Sequence, residues 1–166
     1  MLIEVPVRPV GGSNMISVRK ADETDEYDVW AWRNDPVTRR MSRETAAVSR
    51  QDGQGWFAES LKNRRRTMLI LEDGRGKLGV VRFDEIDADA FEISINLNPE
   101  WRGRGLCRPI LQASITHLRD ERKVRLLTAD IRQGNEASTR CFVVLGFVLR
   151  ATANDFCHYE LALPAA

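Results

Sequence analysis

The feature that most restricts the fold is a change of hydrophobic period between Phe91 and Leu118. Phe91, Ile93, Ile95 and Leu97 alternate with Glu92, Ser94, Asn96 and Asn98. Successive strand side chains point to opposite faces, so this run predicts a strand with one apolar and one polar face. Pro99 lacks a backbone N–H and ends the ladder. From Leu106 the apolar residues return at Ile110, Leu111, Ile115 and Leu118, which is helical spacing. Between the two lies Arg102-Gly103-Arg104-Gly105-Leu106-Cys107. A glycine loop opening a helix presents unpaired N–H groups and the positive end of the dipole, which suits an anion such as a pyrophosphate. Arg102, Arg104 and Arg108 add positive charge there.

Length and composition bound what can surround this unit. The 166 residues suit one domain with its own core. We expect residues 1–14, with two prolines and a Gly-Gly pair, to be a flexible arm, and residues 15–166 to form the domain. The 25 basic and 24 acidic side chains nearly cancel, so nothing pulls the whole chain towards nucleic acid or an anionic membrane. No apolar run is long enough to span a bilayer, and the first residues do not read as a signal peptide. Cys107, Cys141 and Cys157 are odd in number and widely spaced, and are expected as reduced thiols in a cytoplasmic protein. With His117 and His158 alone and no Cys-x-x-Cys, no metal site is expected.

Before the central unit, Ile16–Lys20 reads as a strand. Asp22 or Thr24 caps a helix that runs to about Arg33, and Asn34-Asp35-Pro36 breaks it. Val37–Met41 is another helical turn, and Ser42–Val48 is polar and expected to be mobile. Ser49 caps a further helix carrying Trp56, Phe57 and Leu61, although Gly53 and Gly55 weaken it. Core packing is the plainer role for Trp30, Trp32 and Trp56. Thr67–Leu71 and Lys77–Phe83 are strands joined by a glycine turn, so a three-stranded meander precedes the loop and helix. After the central helix, Val124–Ile131 is a strand, reached by a right-handed crossover. Asn135 caps a helix that Gly146 ends, and a hairpin over Phe147–Arg150 and Phe156–Leu163 closes the chain.

These elements carry two motifs that resemble the GCN5-related N-acetyltransferases. Arg102 to Cys107 is similar to that family's Arg/Gln-x-x-Gly-x-Gly/Ala motif, with Cys107 where Gly or Ala is usual. Asn135 to Phe147, with its Leu-Gly-Phe close, resembles the second motif. Trp32-Arg33-Asn34-Asp35-Pro36 and Trp56-Phe57 are similar to a subgroup with ribosomal-protein and amino-sugar acetyltransferases. The resemblance spans residues 16–163. It implies an α/β (α+β) fold, with a mixed, mostly antiparallel sheet of about seven strands and helices on both faces. Strands four and five would splay apart to admit acetyl-CoA, the co-substrate. Its pyrophosphate would rest on Arg102, Gly103, Arg104, Gly105, Leu106 and Cys107. Its pantetheine would pair with Ile95, Asn96 and Leu97, and Asn135 and Phe142 would flank the thioester. The acceptor would be a small-molecule or peptide amine. An amino-sugar nucleotide and a protein N-terminal amine are the two leading classes. A pocket lined by arginines such as Arg33 or Arg82 would favour a phosphorylated acceptor, and an open groove a peptide. Dimerisation is common in the fold, so a homodimer stays open.

Acetyl transfer needs a neutral amine, and an alkylamine with a pKa of ~10.4 is mostly protonated at neutral pH. Glu92 and Asp130 are the candidate bases, Glu92 favoured for its longer arm. A polar strand residue satisfied by its neighbours explains either one about as well. Many relatives carry a tyrosine that protonates the leaving thiolate where this chain has Phe142. Cys141, Tyr159 or a water is left for that step. The same fold without chemistry, an acyl-CoA-binding or regulatory module, is therefore the alternative. A dinucleotide fingerprint is excluded by the missing third glycine after Gly103-Arg104-Gly105, and a P-loop by the lack of Gly-Lys-Ser/Thr.

Overall fold

A computed structural model describes residues 3–5 and 15–165. In chain order its elements are β1 (Ile3–Val5), β2 (Ile16–Lys20), α1 (Glu26–Asn34), α2 (Pro36–Met41), α3 (Arg50–Lys62), β3 (Arg66–Asp73), β4 (Gly76–Asp87) and β5 (Ala90–Leu97). Then follow α4 (Cys107–Glu121), β6 (Leu126–Arg132), α5 (Glu136–Val144), β7 (Val148–Ala153) and β8 (Phe156–Ala162). The strands form one sheet in the order β1-β2-β3-β4-β5-β6-β8-β7. It has eight strands where about seven were expected, because Ile3–Val5 pair antiparallel with β2. The rest of the expected flexible arm, residues 1, 2 and 6–14, lies outside the described residues.

Alternation builds two cores, one on each face. On β3, Leu69 and Leu71 join Val81, Phe83, Phe91, Ile93 and the α4 residues Ile110, Leu111, Ala113 and Leu118. Met68 and Ile70 point the other way and meet Val80, Val29, Trp32 and Phe57 from α1 and α3. Burying each large aliphatic or aromatic side chain contributes about 1.5–3 kcal/mol, so neither face can be left bare. Helix α3 forms despite its glycines, and its packing explains Gly53: a Cβ there would lie 2.4 Å from Cδ1 of Trp30. Ser49 caps α3 through the Asp52 amide, as expected. The last hairpin turns on Asn154 and Asp155, both at positive φ (51° and 66°), the geometry of a two-residue turn that fits strand twist.

One buried charge cluster had no sequence signal. Asp25 is fully buried where the chain enters α1. It accepts from both Arg19 Nη atoms at 2.7 and 2.8 Å and from the Asp22 amide, and Lys77 Nζ lies 2.8 Å away. Burial pushes its carboxyl up, but these partners outweigh that and hold it at about 2. The cluster pins the start of α1 to β2 and β4.

The thiol expectation needs correction. Cys107 and Cys141 form a disulfide between the first residue of α4 and the body of α5, with Cα atoms 6.2 Å apart. Only Cys157 is free. Their separation of 34 residues hides the contact, which arises because α4 and α5 lie side by side on the sheet. Cysteine content therefore no longer argues for a reducing compartment. No helix among the described residues is long and apolar enough to cross a membrane.

Candidate active site

The site begins where two parallel strands part. β5 pairs with β6 at only three positions, Ala90↔Leu126, Phe91↔Leu127 and Glu92↔Thr128. From Ile93 onward β5 is paired with β4 alone, and β6 with β8 alone. The edge carrying Ile95, Asn96 and Leu97 therefore faces a cleft with its backbone unpaired on that side. This is the splay expected between strands four and five, here β5 and β6 because of the added β1.

The glycine loop lies beyond the end of β5. Gly103 and Gly105 both have φ of +70°, a conformation that L side chains rarely adopt. The N–H groups of residues 103–108 donate to no acceptor among the described residues, and Leu106 gives α4 no side-chain cap. Pro109 has no N–H, and the first helical bond runs from Ile110 to the Leu106 carbonyl. Free amides and the α4 dipole thus converge on one concavity, which suits an anion. The arginines behave differently from one another. Arg102 turns away and ties the loop to α2, 2.6 Å from Thr38 Oγ1 and 2.7 Å from the Asp35 carboxylate. Burial pushes the Asp35 carboxyl up, yet Arg102 and the amides of Thr38 and Val37 hold it below its ordinary value. Arg104 stacks on Trp101, its guanidinium carbon 4.7 Å from the ring centre. Arg108 is exposed and makes no ion pair among the described residues.

Across the cleft, Asn135 caps α5 by accepting the Ser138 amide at 3.3 Å. Gly146, at φ +98°, ends that helix as expected. Phe142, expected to flank the thioester, lies on the buried face of α5. It is 3% exposed, lies in the core and packs edge-on against Phe147 with ring centres 5.0 Å apart. Cys141 is consumed by the disulfide and has no proton to give. Tyr159 is also buried in the core.

The two candidate bases share the sheet face that carries Ser94 and Asn96. Glu92 stands at the closed end of the splay, and among the described residues its side chain makes no hydrogen bond or ion pair. Asp130 stands two residues past the split and is fully engaged. His158 Nδ1 lies 2.7 Å from its Oδ1, and Arg43 contacts its Oδ2. The hydrogen bond to Asp130 raises the His158 pKa above its ordinary value, more than burial lowers it.

That same face opens into a pocket of about 420 Å3 between α1, α3, β4 and β5. Phe57, Met68 and Val80 form its apolar floor, Trp30 and Trp56 stand in its walls, and Arg33 and Arg82 reach it from α1 and β4. Trp32 is core, as expected, but Trp30 and Trp56 are pocket residues, Trp56 being 40% exposed. Residues 42–48, expected to be mobile, are held by hydrogen bonds at Ser42, Arg43, Glu44, Thr45 and Val48. Val48 exchanges hydrogen bonds with the Asn34 amide at 2.8 and 2.9 Å, and its carbonyl also accepts from Trp30 Nε1 at 2.8 Å. Arg33 donates to the Glu44 carbonyl, Arg39 to that of Thr45 and Arg132 to that of Ser42. Glu44 and Val48 of this segment line the pocket, and sequence reading missed it because its anchors, Trp30, Arg33, Asn34, Arg39 and Arg132, all lie on other elements.

Comparison with known proteins agrees with this geometry. The family model described as an acetyltransferase (GNAT) domain matches residues 16–148. No curated protein matches the chain. Solved structures do. Spermidine N-acetyltransferase from Vibrio cholerae, in complex with CoA and spermine, superposes with a TM-score of 0.79 at 15% identity, over 89% of this chain and 95% of that one. The RimL ribosomal L7/L12 α-N-protein acetyltransferase, in complex with CoA, gives 0.77 at 18% identity, over 89% and 94%. The Campylobacter jejuni N-acetyltransferase PseH, in complex with acetyl-CoA, gives 0.71 at 14% identity, over 90% and 99%. At these identities the likeness is one of fold.

Proposed function

The chain belongs to the acetyltransferase (GNAT) domain family, and on that footing we propose that it moves the acetyl group of acetyl-CoA to a primary amine by direct attack in a ternary complex. The observation that carries this reading is the pairing of the β5–β6 splay with the uncapped amides of residues 103–108. The pyrophosphate of acetyl-CoA rests on those amides, and its pantetheine extends along the unpaired edge of Ile95–Leu97. The acetyl group then points along β5 to the face holding Glu92, Ser94 and the pocket. The CoA and acetyl-CoA held by the structural relatives support the same choice of co-substrate.

The acceptor amine enters from the pocket under α1 and α3. Its volume suits a small molecule of amino-sugar size, and a protein N-terminal amine is the second class. Glu92 takes the proton from the ammonium, directly or through a water, because its carboxylate is uncommitted. Asp130 is committed to His158 and Arg43 and acts at most by orienting His158. Nitrogen attacks the thioester carbonyl, the C–S bond breaks, the sulfur leaves with the electron pair, and the nitrogen gives its second proton to water as the amide forms. A CoA-like thiol with a pKa of ~8.5 can depart as thiolate and take its proton from water, so Phe142 need not supply one.

The exposed edge strand β7, with Val148 and Leu149 beside exposed Val143 and Val144 of α5, supports a homodimer through this end of the sheet.

Glu92→Gln tests the base. General-base catalysis contributes ~10²–10⁴-fold, so kcat/KM for CoA release should fall by about that factor and lose its acidic limb. Asp130→Asn should leave that limb in place. An unchanged rate and pH profile in Glu92→Gln overturns the assignment. CoA binding without thiol release from any amine would favour the alternative, an acyl-CoA-binding module, which the absence of a hydroxyl at Phe142 supports.

A further inference from the structure

We propose that the pocket under α1 and α3 recognises an oxyanion, so that the acceptor amine carries a phosphate or carboxylate group which Arg33 and Arg82 bind. This rests on reading that pocket as the acceptor site. Arg33 and Arg82 both line it, and each has a buried guanidinium nitrogen without a hydrogen-bond partner, Nη1 of Arg33 and Nε of Arg82. Arg33 uses only Nη2, on the Glu44 carbonyl. Arg82 is ion-paired with Asp84 through Nε and Oδ2 at 2.8 Å, out of hydrogen-bonding alignment, while Arg66 Nε donates to the other oxygen, Oδ1, at 2.5 Å. A buried guanidinium nitrogen without a hydrogen bond is costly, and an anionic ligand with several acceptor oxygens removes that cost.

The acids around the pocket offset these charges only in part. Glu26 is held at both oxygens by Arg50, at 2.6 and 2.8 Å. Asp52 accepts from Ser49 at the cap of α3. Asp84 is shared between two arginines. Glu44 is exposed at the rim. The aromatic walls are also occupied by cations. Arg50 lies 4.7 Å from the Trp30 ring centre, and Arg66 and Arg82 lie 5.3 and 5.7 Å from that of Trp56. A polyamine would find the aromatic faces already claimed by arginines, and Glu26 and Asp84 already paired. An amine bearing an oxyanion fits, with its nitrogen towards Glu92 and Ser94 and its anion on the arginines.

The test is a matched series of glucosamine 6-phosphate, glucosaminate, glucosamine and spermidine. Each is titrated into the full chain with the cofactor cleft saturated by CoA, and binding is read from tryptophan fluorescence. The two anionic amines should bind at least about tenfold more tightly than glucosamine and spermidine. Arg82→Gln and Arg33→Gln should each remove most of that preference, and Arg82→Lys should retain part of it. Thermal melts of the variants establish that they are folded. A tighter complex with the phosphate assigns a phosphoryl group, and one with glucosaminate assigns a carboxylate. Either supports the proposal. Equal affinities across the series, no binding by any member, a preference for spermidine, or folded arginine variants with unchanged selectivity overturn it. Thiol release is measured in parallel with acetyl-CoA. Selective binding without release would sink the transferase reading and leave the oxyanion pocket. Release without selectivity would do the reverse.

Discussion

Reducing the disulfide between Cys107 and Cys141 should destabilise the protein by a calculable amount. The bond joins residues 34 apart in sequence. Closing a loop of that length removes about 13 cal/mol/K from the unfolded chain, which is about 3.8 kcal/mol at 25 °C. For a domain of this size each kcal/mol shifts Tm by roughly 2–4 °C, so reduction should lower Tm by about 8–15 °C. The assay is a thermal melt followed by circular dichroism, run with and without dithiothreitol. The Cys107→Ala variant should melt like the reduced wild type, because Cys107 is only partly buried and its truncation leaves a small cavity. Its own melt should be indifferent to dithiothreitol. If the reduced wild type melts within about 2 °C of the oxidised form, the loop-closure reasoning fails. The contact between α4 and α5 would then be held by packing alone.

Two glycines of α3 should respond with opposite signs. Gly55→Ala meets nothing within 4 Å and should gain about 1 kcal/mol of helix stability in urea unfolding. Gly53→Ala places a Cβ 2.4 Å from the Trp30 ring, so it should cost roughly 1–3 kcal/mol and raise the acceptor KM by displacing a pocket wall. Equal stability of the two variants would refute the packing account. The Asp130–His158 pair predicts a pH dependence. Asp130 raises the His158 pKa in the folded state, so the stabilisation is fully present below the ordinary histidine value of ~6.5 and is lost as pH rises through the raised value. The Tm difference between wild type and His158→Gln should therefore shrink on going from acidic to alkaline pH. A difference constant across that range would contradict the ion pair.

Much of the fold was legible because its signals are local. Alternation from Phe91 to Leu97 depends only on which side of a strand each residue faces, and it survives in the buried and half-buried faces of β5. The caps Ser49 and Asn135 and the terminating Gly146 act within three or four residues, so the chain declares them without knowing its neighbours. The glycine loop was readable for the same reason: positive φ and free amides are properties of the loop itself. Gly53 was misread as a weakness of α3 because its cause is a ring on another helix.

The acceptor side was less legible because its residues meet only through folding. Arg33 and Arg82 share a pocket, yet one lies on α1 and the other on β4. Arg43 reaches Asp130 from 87 residues away, and no spacing rule predicts such a contact. Only the packing of α1 and α3 over one sheet face decided that Trp30 and Trp56 would be walls and Trp32 core.

By itself the sequence determined the central strand, the anion-ready loop and the helix behind it, since hydrophobic period, glycine conformation and helix polarity are set by neighbours along the chain. The tertiary structure alone decided where β5 leaves β6, that Cys107 meets Cys141, that Glu92 stays uncommitted while Asp130 is taken, and that two arginines face one cavity. Those outcomes depend on which distant side chains the folded sheet and helices bring within a few ångströms of one another.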